Sequence, residues 1–569
     1  LKYFNNLQNL ISIIIFFYKR ISLTFFFIIL LLFITNLIES IGLIALIPLF
    51  ELILNQNNEI NSQNFLTNIV LNFLVFLNIK PTIVTLVFFI LIIFILKFIF
   101  LISTYNFISY ISANMQSDFQ KTLVYDSFDS KWDYFNKKPL GVLSNTIGLE
   151  TKIIANMFQR VCVVFTGILQ GILVFIITIS INAYYSTIAL VIGVLLFLLF
   201  NFLTEIAKKI GKLQAMSQQN LIKKYSDILQ GLKSYKASEK ISYIKFYILK
   251  NIIDLKNSNF KLNYYKYLQN FSKEPVIIII ICIFLITNYN SKIISNNDLI
   301  IFIILLYRIL VSVNVVQLNY TNILSQYGYF ESVNTLMEKF KVNLEKKDIH
   351  NKKISFEKKI QLKNISFNFH NKKIFSDFNL EINKNSLTMI YGESGVGKTT
   401  LIDLLTGLYK PKKGNIFIDN IDLENLSLSS WRKKIEYVQQ ELFLINDTIR
   451  ENITFGNNKI NDQMIWDVLN DINSKEFVNN LELKLDQKVG ERGTILSGGQ
   501  RQRIAFARSI INKPEILILD EVTASLDKNN EKIIFEFLLK LKENVTIIYI
   551  THQKELIKYA DKAVYIEKL

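Results

Sequence analysis

Leu387-Thr-Met-Ile-Tyr-Gly-Glu-Ser-Gly-Val-Gly-Lys-Thr-Thr-Leu-Ile-Asp-Leu-Leu405 decides how the second half of this chain folds. Its first five residues form an apolar run of the length of a buried strand. Gly392, Gly395 and Gly397 follow at once, and Thr399 to Leu405 then carries apolar residues at helical spacing. A strand, a glycine-rich turn and a helix in that order aim backbone N–H groups at one point in front of a positive helix N-terminus. That arrangement suits the phosphate chain of a nucleotide. Within Gly392, Glu393, Ser394, Gly395, Val396, Gly397, Lys398, Thr399 and Thr400, the Lys398 ammonium is a point charge for the β- and γ-phosphates. Thr399 offers a hydroxyl to Mg²⁺.

Working outward, Ile516-Leu-Ile-Leu-Asp-Glu521 is a second apolar strand, ending in two carboxylates. Asp520 is expected to reach the same Mg²⁺ through water, and Glu521 to polarise the attacking water. Leu496-Ser-Gly-Gly-Gln500 lies between the two strands. From about 358 onward short strands and helices alternate, as in Ile365-Ser-Phe-Asn-Phe369, which predicts an α/β domain over 358–569.

The first half differs in kind. The 569 residues are 51% hydrophobic, and the surplus is concentrated before about residue 320. A bilayer core of roughly 30 Å needs about 20 apolar residues as helix. Six stretches qualify, at about 22–53, 83–110, 158–181, 185–206, 272–289 and 298–320. The expectation is an α-helical membrane domain over 1–335, a linker over 336–357, and long helical extensions at about 111–157 and 207–271. Asn64, Asn68 and Asn72, four residues apart, predict an amphipathic helix on the outer membrane surface, with a simple packed loop as the alternative. The first apolar run continues into a spanning pattern with no small-residue cleavage site, so no cleavable leader is expected.

The net charge of +17, from 64 Lys and Arg against 47 Asp and Glu, does not argue for a nucleic-acid partner. Lys208, Lys209, Lys212, Lys223, Lys224, Lys233, Lys236, Lys240 and Lys245 lie between apolar segments, where positive charge marks cytoplasmic loops. The N-terminus and both long loops are therefore expected in the cytoplasm. Cys162 and Cys282 fall in apolar segments and read as small core residues. Glu39, Lys97 and Arg308 are ionisable groups inside spans, which are costly and often functional. Either Glu39 and Lys97 pair between helices, or the three line a substrate path in which Arg308 attracts an anionic group.

Taken together, the phosphate loop, Leu496-Ser-Gly-Gly-Gln500 and Asp520-Glu521 resemble the ATP-binding-cassette (ABC) exporters, and the six spans resemble their half-transporters. The resemblance covers essentially the whole chain and implies ATP with Mg²⁺ as cofactors. It matches Phe369 to the aromatic that stacks on adenine, and Gln440 to the glutamine that senses Mg²⁺ and the membrane domain. His552 matches the switch histidine at the γ-phosphate, Asp527 the aspartate of the loop after the catalytic strand, and Gly490-Glu-Arg-Gly493 a segment that touches the cytoplasmic loops. Ser497, Gly498, Gly499 and Gln500 would close over an ATP held by a second cassette. The partner implied is a second copy of the chain or a paralogous half-transporter.

The function implied is an ATP-driven exporter or flippase in a bacterial inner membrane, in contact with membrane lipids, its cassette cytoplasmic and its substrate amphipathic. A looser resemblance to lipid-linked oligosaccharide flippases rests on the external helix and Leu306-Tyr-Arg-Ile309. The stretch Val311-Ser-Val-Asn-Val315 lacks the proline and second arginine of that group. Peptide or drug export, and an ATP-gated channel or regulator without pumping, are the alternatives.

Overall fold

Apolar runs too long for a globular core become helices throughout the first half of the chain. The structure, a computed structural model, describes residues 2–54, 65–291, 296–345, 355–369, 372–523 and 528–567. These residues form two units, one of 1–130 and 134–344, the other of 131–133 and 345–569.

The longer helices of the first unit are α1 (Lys2–Leu54), α2 (Phe65–Phe76), α3 (Ile83–Phe128), α4 (Thr151–Ile181) and α5 (Ala183–Gln230). They are followed by α6 (Ile241–Phe271), α7 (Lys273–Ser291), α8 (Asn296–Ser325) and α9 (Tyr327–Val342). Six segments are long and apolar enough to cross a membrane: Asn6–Ile53, Ile83–Phe128, Leu140–Ile181, Ala183–Gln230, Ile241–Thr287 and Leu299–Ser325. A segment of 48 residues is about 72 Å long, more than twice the thickness of a hydrocarbon core. The predicted loops are accordingly continuations of the spanning helices. α1 is broken at Ile21, where φ is −136°, and contains Pro48, which donates no hydrogen bond to the preceding turn. Pro275 lies in the first turn of α7, where a missing N–H breaks nothing.

Close helix crossings are set by small residues. A Cβ on Gly211 of α5 would lie 1.9 Å from the carbonyl oxygen of Ser325, at the end of α8. Gly167 and Gly171 of α4 similarly face Val316 and Ser312 of α8. α2 sets Val70 and Leu74 against Ala45, Leu49, Leu52 and Leu86. Asn68 and Asn72 lie on this helix, while Asn64 falls outside the described residues. The stretch from 336, expected as linker, is helical as far as Val342. Phe330, Val333, Met337 and Phe340 form one buried stripe along α9, and that burial carries the helix onward.

In the second unit two sheets share the labour. β1 (Lys359–Phe369), β2 (Lys372–Asn383), β4 (Lys413–Ile418) and β5 (Ile421–Asp422) form an antiparallel sheet in the order β2-β1-β4-β5. β3 (Leu387–Tyr391), β6 (Ile435–Val438), β7 (Ile516–Asp520), β8 (Thr546–Thr551) and β9 (Lys562–Tyr565) form a parallel sheet in the order β6-β7-β8-β3-β9. β7 and β8 are buried along their whole length, as strands of a parallel sheet covered on both faces are. Strand alternation sends Leu517, Leu519, Ile547 and Tyr549 into one core and Ile516, Ile518, Ile548 and Ile550 into the other. Each such side chain contributes about 1.5–3 kcal/mol on leaving water.

Candidate active site

The parallel sheet decides which side chains can meet. β3, β8 and β7 are adjacent and run in the same direction, so the residues after their carboxyl ends emerge at one edge. The phosphate loop follows β3, Glu521 follows β7, and His552 follows β8.

The loop turns through Gly395 at φ 78° and Gly397 at φ 110°, a region that L side chains avoid. At Gly397 a Cβ would also lie 2.4 Å from Cγ2 of Ile374. The helix α10 (Lys398–Leu405) starts immediately after it, leaving its first N–H groups free for an anion. Lys398 Nζ donates to the carbonyls of Gly392 and Glu393, each at 2.9 Å. Burial draws the Lys398 ammonium below its ordinary pKa, although the carboxylates of Glu521 and Asp520 oppose this. The Thr399 hydroxyl is exposed and makes no protein hydrogen bond among the described residues, and Glu393 and Ser394 are exposed beside it.

Glu521 sits at φ 52°, a left-handed conformation for a non-glycine residue, and its N–H donates to the Ile550 carbonyl at 3.1 Å. That turn brings its carboxylate back across β8. Oε2 accepts from Gln440 Nε2 at 2.7 Å, and Oε1 lies 2.7 Å from His552 Nε2. Lys398 Nζ is 3.1 Å and 3.4 Å from the two ring nitrogens of the same histidine. With its proton on Nε2 the imidazole donates to Glu521, while the Lys398 ammonium lies against both ring nitrogens. Lys398, Gln440, Glu521 and His552 thus form one connected group.

Asp520 is 5% exposed and its carboxyl is held above the usual range, chiefly by burial, with Glu521 adding to the effect. Tyr437 Oη donates to its Oδ2 at 3.3 Å. Asp403, on α10, is pushed up to about 6 by burial and by Asp520. A free hydroxyl on Thr399 and a carboxylate on Asp520 are hard oxygen donors of the kind Mg²⁺ takes. Gln440, expected at Mg²⁺ as well, is instead engaged on Glu521.

Other expected residues stand apart from this group. Ser497 caps the helix α11 (Gly498–Ile511), its hydroxyl accepting from the Gln500 N–H at 3.3 Å while Gln500 Oε1 accepts from the Ser497 N–H at 2.9 Å. Its hydrogen bonds therefore stay within its own capping box, and the N–H groups of Gly498 and Gly499 point outward from a positive helix end. Phe369 ends β1 with 41% of its surface exposed and its ring edge-on to Tyr409, centroids 6.1 Å apart. Asp527 lies outside the described residues.

Tyr437 and Asp403 belong to the site's surroundings, yet no motif marked them. Tyr437 is placed by the pairing of β6 with β7, a neighbourhood that strand order alone reveals.

In the first unit the three ionisable span residues come together. Glu39 Oε2 is 2.8 Å from Lys97 Nζ, and its Oε1 is 3.0 Å from Arg308 Nη2. Gln170 Nε2 donates to the same Oε1 at 3.2 Å. α1, α3, α4 and α8 therefore meet on one carboxylate.

The chain matches the protein family described as "ABC transporter" over residues 375–524. It is 29% identical over 447 residues to the "Heterocyst differentiation ATP-binding protein HepA" of Nostoc sp., covering 76% of this chain and 72% of that protein. It is 28% identical over 483 residues to the "ATP-dependent lipid A-core flippase" of Wigglesworthia glossinidia brevipalpis, covering 82% and 81%. A solved structure, "Structure of a bacterial Atm1-family ABC exporter with ATP bound", superposes with a TM-score of 0.79 at 19% identity, covering 97% of this chain and 94% of that one. That last likeness concerns the fold.

Proposed function

The chain belongs to the ABC transporter family, as a membrane half-transporter with one ATPase cassette, and from that premise we propose that it exports or flips an amphipathic molecule as a dimer. The observation that carries this reading is the connected group of Lys398, His552, Glu521 and Gln440 at the edge of the parallel sheet.

Lys398 exchanges the carbonyls of Gly392 and Glu393 for the β- and γ-phosphates of ATP. Glu521 takes the proton of the attacking water, while His552 and Gln440 hold its carboxylate in place. Thr399 and Asp520 would hold Mg²⁺, which supplies charge neutralisation at the phosphates. Phe369, at the end of β1, is the aromatic for adenine, and Asp527 serves the facing cassette. Ser497, Gly498, Gly499 and Gln500 serve the nucleotide of a second copy, so two composite sites form when two cassettes close. Differential binding of ATP to the closed pair shifts the membrane helices between inward and outward states. The N-terminus and cassette face the cytoplasm of a bacterial cell, and Glu39, Lys97 and Arg308 line the substrate path.

Reconstitution into proteoliposomes with a fluorescent amphiphilic lipid tests the proposal. ATP-dependent movement across the bilayer that disappears in Glu521→Gln is the expected result. Steady ATP hydrolysis with no movement of any lipid, drug or peptide probe would overturn it in favour of a regulator or channel.

A further inference from the structure

The membrane-embedded cluster has an uneven charge count. Glu39 supplies one negative charge, and Lys97 and Arg308 supply two positive ones. Along the four helices that meet here, the nearest other carboxylates are Glu51 and Asp298, twelve and ten residues away in sequence, about 18 and 15 Å along a helix axis. The excess cation is therefore local to the cluster. Charged side chains at spanning depth are costly and are kept where something uses them.

The spare hydrogen-bonding capacity also lies on the cations. The Glu39 side chain is 5% exposed, pairs with both cations and accepts a hydrogen bond from Gln170, whereas the side chains of Lys97 and Arg308 are 19% and 33% exposed. An ammonium carries three donors and a guanidinium five, and Glu39 takes up only part of that supply. Lys97 also lies 5.7 Å from the centroid of the Phe94 ring, an apolar surface beside the charge. A second anion with an apolar tail would balance the count and engage donors that Glu39 leaves open.

Resting on the export reading above, we propose that the Glu39–Lys97–Arg308 cluster binds the anionic head group of an amphiphilic substrate, with Glu39 as the resident counter-ion that the substrate competes against. Because Glu39 Oε1 holds Arg308, an incoming anion that draws Arg308 away loosens α8 from α1. Substrate arrival and helix separation are thereby joined at one guanidinium.

The sign of the Glu39 effect distinguishes this role from a purely structural one. The full-length protein in nanodiscs of zwitterionic lipid is titrated with dodecyl phosphate or with neutral dodecanol while ATP turnover is followed. For dodecyl phosphate, the half-maximal concentration should fall about tenfold in Glu39→Gln and rise about tenfold in Arg308→Gln and Lys97→Gln. Values for dodecanol should not move. A weaker response to dodecyl phosphate in Glu39→Gln as well as in Arg308→Gln overturns the proposal. If Glu39→Gln does not fold, Arg308→Lys decides: it should keep the preference for phosphate that Arg308→Gln loses, and equal behaviour of the two overturns the idea. A parental protein that moves lipid in proteoliposomes yet responds alike to both probes refutes this inference alone. No ATP-driven movement of any amphiphile refutes the export reading beneath it.

Discussion

Gln440 Nε2 donates to Glu521 Oε2 at 2.7 Å, so the carboxylate expected to take the proton from water is already oriented by a residue from the far side of β7. Replacing Glu521 by Gln should leave nucleotide binding intact and lower ATP turnover by about 10²–10⁴-fold, the range for a positioned general base. Phosphate release and nucleotide binding, measured on the same preparation, check both halves. Gln440→Ala should cost turnover less than Glu521→Gln does, since His552 still holds the other carboxylate oxygen.

Gly397→Ala should abolish nucleotide binding and destabilise the cassette. The new methyl meets Ile374 at 2.4 Å on a backbone held at φ 110°. Overpacking of this kind typically costs 1–3 kcal/mol, and left-handed strain adds about as much again. A lowered melting temperature together with lost nucleotide binding is the outcome to look for.

The cassette's stability should depend on pH through Asp403. Its carboxyl is pushed up to about 6 from an ordinary 3.8, so the folded state holds the proton more tightly than the unfolded chain. That contribution is complete below about pH 4 and is lost as pH rises through about 6. Asp403→Asn should flatten the fall in melting temperature between about pH 4 and 6 and raise the melting temperature at pH 7.5. Thermal unfolding with divalent metal chelated measures this.

Gly211→Ala should weaken the membrane unit. Its Cβ would fall 1.9 Å from a backbone oxygen at Ser325, which no side-chain rotation relieves. A drop of several degrees in the melting temperature of the detergent-solubilised protein is expected. Gly148→Ala, whose Cβ meets nothing within 4 Å, serves as the neutral control.

Local chemistry explains which parts of this design could be read in the chain. The strand, glycines and helix from Leu387 to Leu405 are contiguous, and each residue's conformational demand is met by its immediate neighbours. Glu521 was legible because it follows an apolar strand directly. Its turn back toward His552 was not, because that depends on a left-handed backbone at 521 and on β8 lying next to β7. Glu39, Lys97 and Arg308 were visible as isolated charges in apolar runs. Pairing of Glu39 with Lys97 was one of the two readings, but only helix packing, with small residues drawing α4 against α8, could add Arg308 and Gln170 to the same carboxylate. The helical course of 336–342 was missed because its buried stripe, Met337 and Phe340, is short and interrupted by Glu338, Lys339 and Lys341.

Two interruptions mark α1, the broken backbone at Ile21 and the missing N–H of Pro48, 27 residues further on and about 40 Å along the axis. A hydrocarbon slab of about 30 Å fits between the two interruptions with room to spare. Peptide groups freed at the interruptions can thus be hydrated at the polar margins, where losing a helical hydrogen bond costs little. Glu39 lies well between the two. The charged midpoint of the first helix thus belongs to the stretch whose hydrogen-bond ladder is complete, between the two points where it is not.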